Sequence, residues 1–118
     1  MEIYKEFRFE AAHFLPNVGD NHPCKNIHGH SYRVKLSING ELDPEIGWVM
    51  DFTDIKDVFT PILNQLDHSM LNNIEGLENP TCEKLAVWIW DKMKPLLPLL
   101  SKIEVNETTS SGCIYRGK

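Results

Sequence analysis

The twelve residues NHPCKNIHGHSY, numbered 21–32, bring together Cys24 and three histidines, His22, His28 and His30. Imidazoles and thiols are the side chains that bind transition metals and move protons near neutral pH. His28 and His30 are two positions apart, and on a strand such residues point the same way, roughly 6.6 Å apart at the backbone. Imidazoles reaching inward can close that gap onto a metal at about 2.0 to 2.1 Å from each nitrogen. Gly29 removes a side chain between them and lets the backbone bend. His22 lies further out, as a fourth ligand or as a solvated loop residue. Cys24 sits four residues before His28. A thiol beside a cation gives up its proton more readily and becomes a usable base or nucleophile. It could equally be a thiolate ligand that closes a structural zinc site, and the spacing leaves both readings open.

Two further groups stand downstream. In LDHSML, Asp67 adjoins His68, and a carboxylate can tune an imidazole for proton transfer. The plainer reading is a polar helix end, where a protonated histidine suits the helix dipole. Glu107, in VNETTSSG, ends a stretch otherwise rich in core residues; taken alone, it is a turn carboxylate.

These residues need elements to hold them. Along residues 3–13, Phe7, Phe9, Ala11 and His13 share one parity, while Glu6, Arg8 and Glu10 share the other. Along residues 30–38, Tyr32, Val34, Leu36 and Ile38 oppose Ser31, Arg33, Lys35 and Ser37. Period two with one apolar side predicts strands in a half-buried antiparallel sheet. Paired as neighbours, they set His13, ending the first, beside His30, beginning the second, both on the apolar side. His13, His28 and His30 then supply three neutral imidazoles without a thiolate cage, the pattern of catalytic zinc with one open position. Against this stands a buried, hydrogen-bonded core His13 with His28 and His30 as loop polars.

The period changes in DFTDIKDVFTPILNQLDH, where Phe52, Ile55, Phe59, Ile62, Leu63 and Leu66 follow helical spacing behind a cap at Asp51 or Thr53. Pro61 is expected to kink this helix or start a new turn. Thr81 caps a second helix, CEKLAVWIWDKMK, which Pro95 and Pro98 stop. KIEVNET and CIYRG return to strands around a turn at Ser110, Ser111 and Gly112. The expected fold is α+β in one domain, residues 1–118: a two-layer sandwich of order ββααββ, with two helices on one face of a four-stranded antiparallel sheet. Long edge strands would be free to pair with another subunit.

The chain has 118 residues and a net charge of −5. That balance argues against a general nucleic-acid surface. The opening MEIYKEFRFE mixes charged and apolar residues, and the longest apolar patch, 96–100, is interrupted by Pro98, so neither a signal peptide nor a membrane span is expected. The three cysteines, Cys24, Cys82 and Cys113, are odd in number and widely spaced, so free thiols and a cytoplasmic location are the expectation.

Nearly end to end, in FRFEAAHFLP, CKNIHGHSY, GWVMDFTDIK, LDHSMLN, NPTCEKLAVWIW and VNETTSSGCIYRG, the chain resembles the 6-pyruvoyl-tetrahydropterin synthase superfamily. The close spacing of CKNIHGH resembles its bacterial 6-carboxy-5,6,7,8-tetrahydropterin synthase branch, which serves queuosine biosynthesis. The resemblance implies a tunnelling fold and a lyase with one zinc per subunit on His13, His28 and His30. It implies Cys24 as proton acceptor, Asp67 and His68 as relay, and Glu107 as the carboxylate that takes the pterin ring and joins the relay. Thr81 and Cys82 would line the pterin pocket, Cys82 standing where a hydroxyl is common. The implied substrate is 7,8-dihydroneopterin triphosphate; the implied products are the 6-carboxy pterin, acetaldehyde and triphosphate. Homohexamers of two trimeric barrels are implied as well, with the charged sheet face lining the lumen. For the triphosphate, Lys25 and Arg116 are the candidate cations. Three rivals stand beside this reading: pyruvoyl-tetrahydropterin formation, a non-catalytic zinc-stabilised oligomer, and a thiol hydrolase on Cys24 and His68. The last leaves the three histidines unexplained.

Overall fold

The computed structural model describes all 118 residues. Strands β1 (Glu2–His13) and β2 (His28–Asn39) pair antiparallel over twelve residues each, from Glu2 opposite Asn39 to His13 opposite His28. The alternating parity of both strands is what permits this: one register buries Phe7, Phe9, Ala11, Tyr32, Val34, Leu36 and Ile38 on the same side. Strand β4 (Leu100–Asn106) continues the sheet beside β2, with a register shift at Ser37 and Ile38, and β5 (Gly112–Tyr115) pairs with β4.

Helix α1 (Phe52–Leu66) begins where the Asp51 carboxylate accepts the Thr53 N–H at 2.9 Å, so Asp51 rather than Thr53 is its cap. Pro61 lies inside α1 without dividing it. Helix α2 (Cys82–Met93) begins at Thr81, whose hydroxyl accepts the Lys84 N–H at 3.1 Å. From α1, Ile55, Phe59 and Leu66 enter one core with Leu85, Ala86, Trp88, Ile89 and Met93 of α2. That core lies against Phe7, Phe9, Tyr32, Val34, Leu36, Ile38, Ile103 and Val105 of the sheet. Phe9 stacks on Tyr32 at 4.9 Å between ring centroids, and Phe7 meets Phe59 across the layers at 4.6 Å.

The sheet departs from the four antiparallel strands expected. A fifth strand, β3 (Ser69–Met70), follows α1 and runs parallel to Ala11 and Ala12 of β1. The sheet is therefore mixed, in the order β3-β1-β2-β4-β5, and the chain order is ββαβαββ rather than ββααββ. The cause is local. Asp67 closes α1 in extended conformation and His68 turns the chain with a left-handed φ of 58°. The His68 N–H then donates to the Glu10 carbonyl at 2.6 Å, which lays the next two residues along β1. Two residues are too few to display a period, so alternation could not announce them.

The sheet edges differ from expectation too. The terminal strands are short, β3 with two residues and β5 with four. Because β3 covers only Ala11 and Ala12, the earlier part of β1 carries the longer unpaired edge. The face away from the helices is charged: Lys102 approaches Glu2 at 3.3 Å and Lys35 approaches Glu104 at 3.8 Å. No helix is long and apolar enough to cross a membrane.

Candidate metal centre and adjoining cleft

His13 closes β1 and His28 opens β2, and the strand register sets them opposite each other, with His30 opposite Ala11. A fourth group comes from the far side of the sheet. Glu107 follows β4, in a turn where its N–H donates to Ser111 O at 3.1 Å. One ligand atom from each of His13, His28, His30 and Glu107 lies within 4.8 Å of the others.

Backbone carbonyls orient two of the rings. His13 is fully buried and its Nδ1 lies 2.8 Å from Pro80 O; His28 Nδ1 lies 2.8 Å from Asn26 O. A carbonyl only accepts, so each Nδ1 carries the hydrogen and each neutral ring turns a lone pair outward at Nε2. Those two Nε2 atoms face each other at 3.0 Å. Two lone pairs at that distance repel unless a proton or a cation lies between them.

His30 adds a second sign of the same kind. Its Nε2 is buried and has no hydrogen-bond partner. Glu107 Oε1 lies 2.9 Å away, close enough for charge attraction but not aligned as a hydrogen bond; it also lies 3.2 Å from His13 Nε2. Burial lowers the His30 pKa, with the charges of His13 and His28 adding to the effect and Glu107 opposing it. A neutral ring is the metal-binding form. Inward-facing nitrogen lone pairs, an orphaned buried nitrogen and one carboxylate fit a divalent cation such as zinc. The place left open by three imidazoles is faced by Glu107, which sequence reasoning had assigned to the substrate.

The remaining candidates are placed differently. Cys24 lies half-buried in a single 3₁₀ turn, Pro23–Lys25, held by Leu15 N–H donating to its carbonyl at 2.8 Å. Its sulfur is not among the converging donors, which are the three imidazoles and Glu107. His22 caps that turn, its Nδ1 accepting the Cys24 N–H, and is not a ligand. Asp67 Oδ1 accepts from Glu10 N at 2.9 Å and lies 3.0 Å from His68 Nδ1. The Glu10 N–H, with His68 helping, holds the Asp67 carboxyl below the usual aspartate range. His68 is largely exposed and lines a hollow of about 420 Å³ with Glu10, Ala12, His30, Ser31 and Ser69. The cleft therefore has His30 of the cluster and His68 of the Asp67–His68 pair in its wall.

Thr81 and Cys82 line no hollow. The Thr81 hydroxyl is occupied as a helix cap, and Cys82 is buried with its Sγ donating to Val105 O at 3.3 Å. Its sulfur also meets Cys113 Sγ at 3.5 Å, and burial raises both thiols' pKa values. Sequence reasoning missed the Pro80 and Asn26 carbonyls. Main-chain oxygens carry no residue signature, so only coordinates reveal them.

A buried imidazole cluster at the ends of a hairpin, beneath two helices on one sheet face, is a protein class as much as a fold. Residues 2–118 match the family model of 6-pyruvoyl tetrahydropterin synthase. The chain is 42% identical to the 6-carboxy-5,6,7,8-tetrahydropterin synthase of Synechocystis sp. over 119 residues, covering 96% of this chain and 91% of that protein. It is 36% identical to the 6-pyruvoyl tetrahydrobiopterin synthase of Homo sapiens, covering 99% and 92% respectively. The solved 6-pyruvoyl tetrahydropterin synthase of Caenorhabditis elegans superposes with a TM-score of 0.92 at 28% identity, covering 100% of this chain and 96% of that one. The chain belongs to the 6-pyruvoyl tetrahydropterin synthase family.

Proposed function

We propose that the protein is a zinc-dependent carbon–carbon lyase that converts 7,8-dihydroneopterin triphosphate and one water to 6-carboxy-5,6,7,8-tetrahydropterin, triphosphate and acetaldehyde. The observation that carries the reading is the convergence of three histidine Nε2 atoms, two with their hydrogens committed to backbone carbonyls on the far side. The identity to the Synechocystis synthase supports the 6-carboxy product. We further infer, from the motif resemblance alone, a role in queuosine biosynthesis in the cytoplasm, as a homohexamer of two trimers.

His13, His28 and His30 hold the zinc. Bound there, zinc supplies Lewis-acid polarisation of the substrate's side-chain hydroxyls. With the ring lone pairs engaged, the Glu107 carboxylate is free to accept two parallel N–H bonds from the pterin ring. Cys24, carried on the loop between β1 and β2, removes a carbon-bound proton from the substrate side chain. Asp67 keeps its charge and orients the His68 imidazole, which handles protons at the other end of the cleft. Two acid–base groups of different chemistry thus face one carbon skeleton.

A second reading is pyruvoyl-tetrahydropterin formation, favoured by the human relative's name and its coverage of the chain. Incubation of the zinc-loaded protein with 7,8-dihydroneopterin triphosphate, followed by mass spectrometry, separates the two. The carboxy pterin with acetaldehyde is expected. A pyruvoyl product, or no conversion, overturns the proposal.

A further inference from the structure

Arg8 of β1 and Arg33 of β2 stand directly opposite one another on the outer face of the sheet. Like charges directly across a ladder weaken the pairing. Little within the chain offsets them. Glu6 Oε1 reaches only to 3.9 Å from Arg33 Nη1, and Arg8 has no ion pair. Glu10 stands nearby, but its Oε2 already accepts the Ser31 hydroxyl at 2.7 Å.

Between the arginines is a hollow of about 230 Å³, lined also by Glu10, Ser31, Thr108 and Thr109. Two guanidinium forks with hydroxyls beside them suit an anion with many oxygens, above all phosphate. Glu10 and Ser31 border this hollow and also the cleft of His30 and His68, so the two adjoin. The Arg8–Arg33 rung lies three rungs along the ladder from Ala11–His30, roughly 10 Å away. That interval is along the strands; the His30 ring shares the parity of Tyr32 and Val34 on the helix side, and it is Glu10 and Ser31, on the arginines' own face, that make the two hollows continuous.

The two cations that sequence reasoning put forward are engaged elsewhere. Lys25 Nζ donates to the carbonyls of Pro16 and Val18 at 2.9 and 3.2 Å. Arg116 lies where its charge acts on Glu2, at the opposite end of β1 from His13.

We infer that Arg8 and Arg33, with the hydroxyls of Ser31, Thr108 and Thr109, form a binding site for a phosphate chain. Its occupant is the triphosphate arm of the pterin substrate, an assignment that rests on the function proposed above. A free polyphosphate presents the same chemistry, and the experiment separates the two sources.

Calorimetric titration of the full chain with inorganic triphosphate is expected to give saturable binding that weakens as salt rises. In an Arg8→Gln, Arg33→Gln double variant the dissociation constant should rise by at least about tenfold. Arg8 is exposed, Arg33 is half-buried, and the two charges repel each other, so the variant's melting temperature should stay level or increase, and Arg8→Lys should retain part of the binding. If the substrate arm is the occupant, the double variant raises KM for 7,8-dihydroneopterin triphosphate with little change in kcat. The dissociation constant for unphosphorylated 7,8-dihydroneopterin, read by calorimetry, stays level. Lost triphosphate binding with an unchanged KM assigns the site to a free polyphosphate. Absence of binding to the wild-type chain, or equal binding by the double variant, overturns the inference. Should the wild-type chain make no carboxy pterin, the proposed function fails while the titration still decides the anion site.

Discussion

His30 of the imidazole cluster and His68 of the Asp67–His68 turn line the same cleft, yet the two groups are built in opposite ways. His13 is buried, rests its Nδ1 on Pro80 O and sits edge-on to Tyr32. His68 is exposed, takes a left-handed backbone conformation and is tied to the sheet through Glu10 and its neighbour Asp67. In the first, the His13 and His28 rings are held by main-chain carbonyls before any cation arrives. The second is pinned at its backbone while its imidazole remains free to turn. A group that grips a metal gains from rigidity. A group that ferries protons must exchange them with its surroundings, which exposure allows.

Substitutions should separate the two halves, and His13→Ala should have the largest effect. It removes a ligand and strands the Pro80 carbonyl in the core, costing about 1 to 3 kcal/mol of stability for the lost partner alone. Elemental analysis should find little zinc retained. Cys24→Ala should lower turnover by about 10² to 10⁴-fold, the usual reach of an acid–base group, while zinc content stays whole. Equal loss of metal would instead make Cys24 a ligand and blur the distinction between grip and chemistry.

Asp67→Asn should reduce turnover with folding nearly intact at neutral pH, and its pH dependence has a definite sign. The folded-state pKa of Asp67 is lowered, mainly by the Glu10 N–H. Its stabilising contribution is therefore present above the ordinary aspartate pKa and is lost as pH falls through the depressed folded value. Thermal melts of wild type and Asp67→Asn should differ near neutrality and converge in strong acid. His68→Gly should give the smallest change in stability, and in the favourable direction. Glycine occupies a left-handed φ without a Cβ penalty, so melting should hold or rise by an amount equivalent to about 1 kcal/mol or less while activity falls. A large loss of stability would mean that the turn is braced by its side chain and resembles the buried cluster after all.

What the sequence disclosed follows from the reach of its patterns. The parity of Phe7, Phe9, Ala11 and His13 against Tyr32, Val34, Leu36 and Ile38 is long enough to specify a register, and the register brings the histidines together. Thr81 was legible as a cap, and Asp51 as one of two candidates beside Thr53, because capping depends on a hydroxyl or carboxylate at one position. Strand β3 was not legible, since two residues carry no period and their pairing depends on one hydrogen bond to Glu10. Nor was the approach of Glu107 to His13 and His30, which depends on how β4 ends. Thr81 and Cys82 show a different limit: similarity assigned them to a pocket, whereas in this chain their polar atoms are engaged in the fold.

The braces on the His13 and His28 rings come from the main chain, at Pro80 and Asn26. No side-chain exchange at either position can delete a carbonyl. Residues 26 and 80 should thus tolerate replacement so long as the local path of the chain survives, whereas a single-residue insertion or deletion beside either should scramble the corner. For anyone redesigning this scaffold, loop length there is the variable to hold constant, and residue identity is the one open to change.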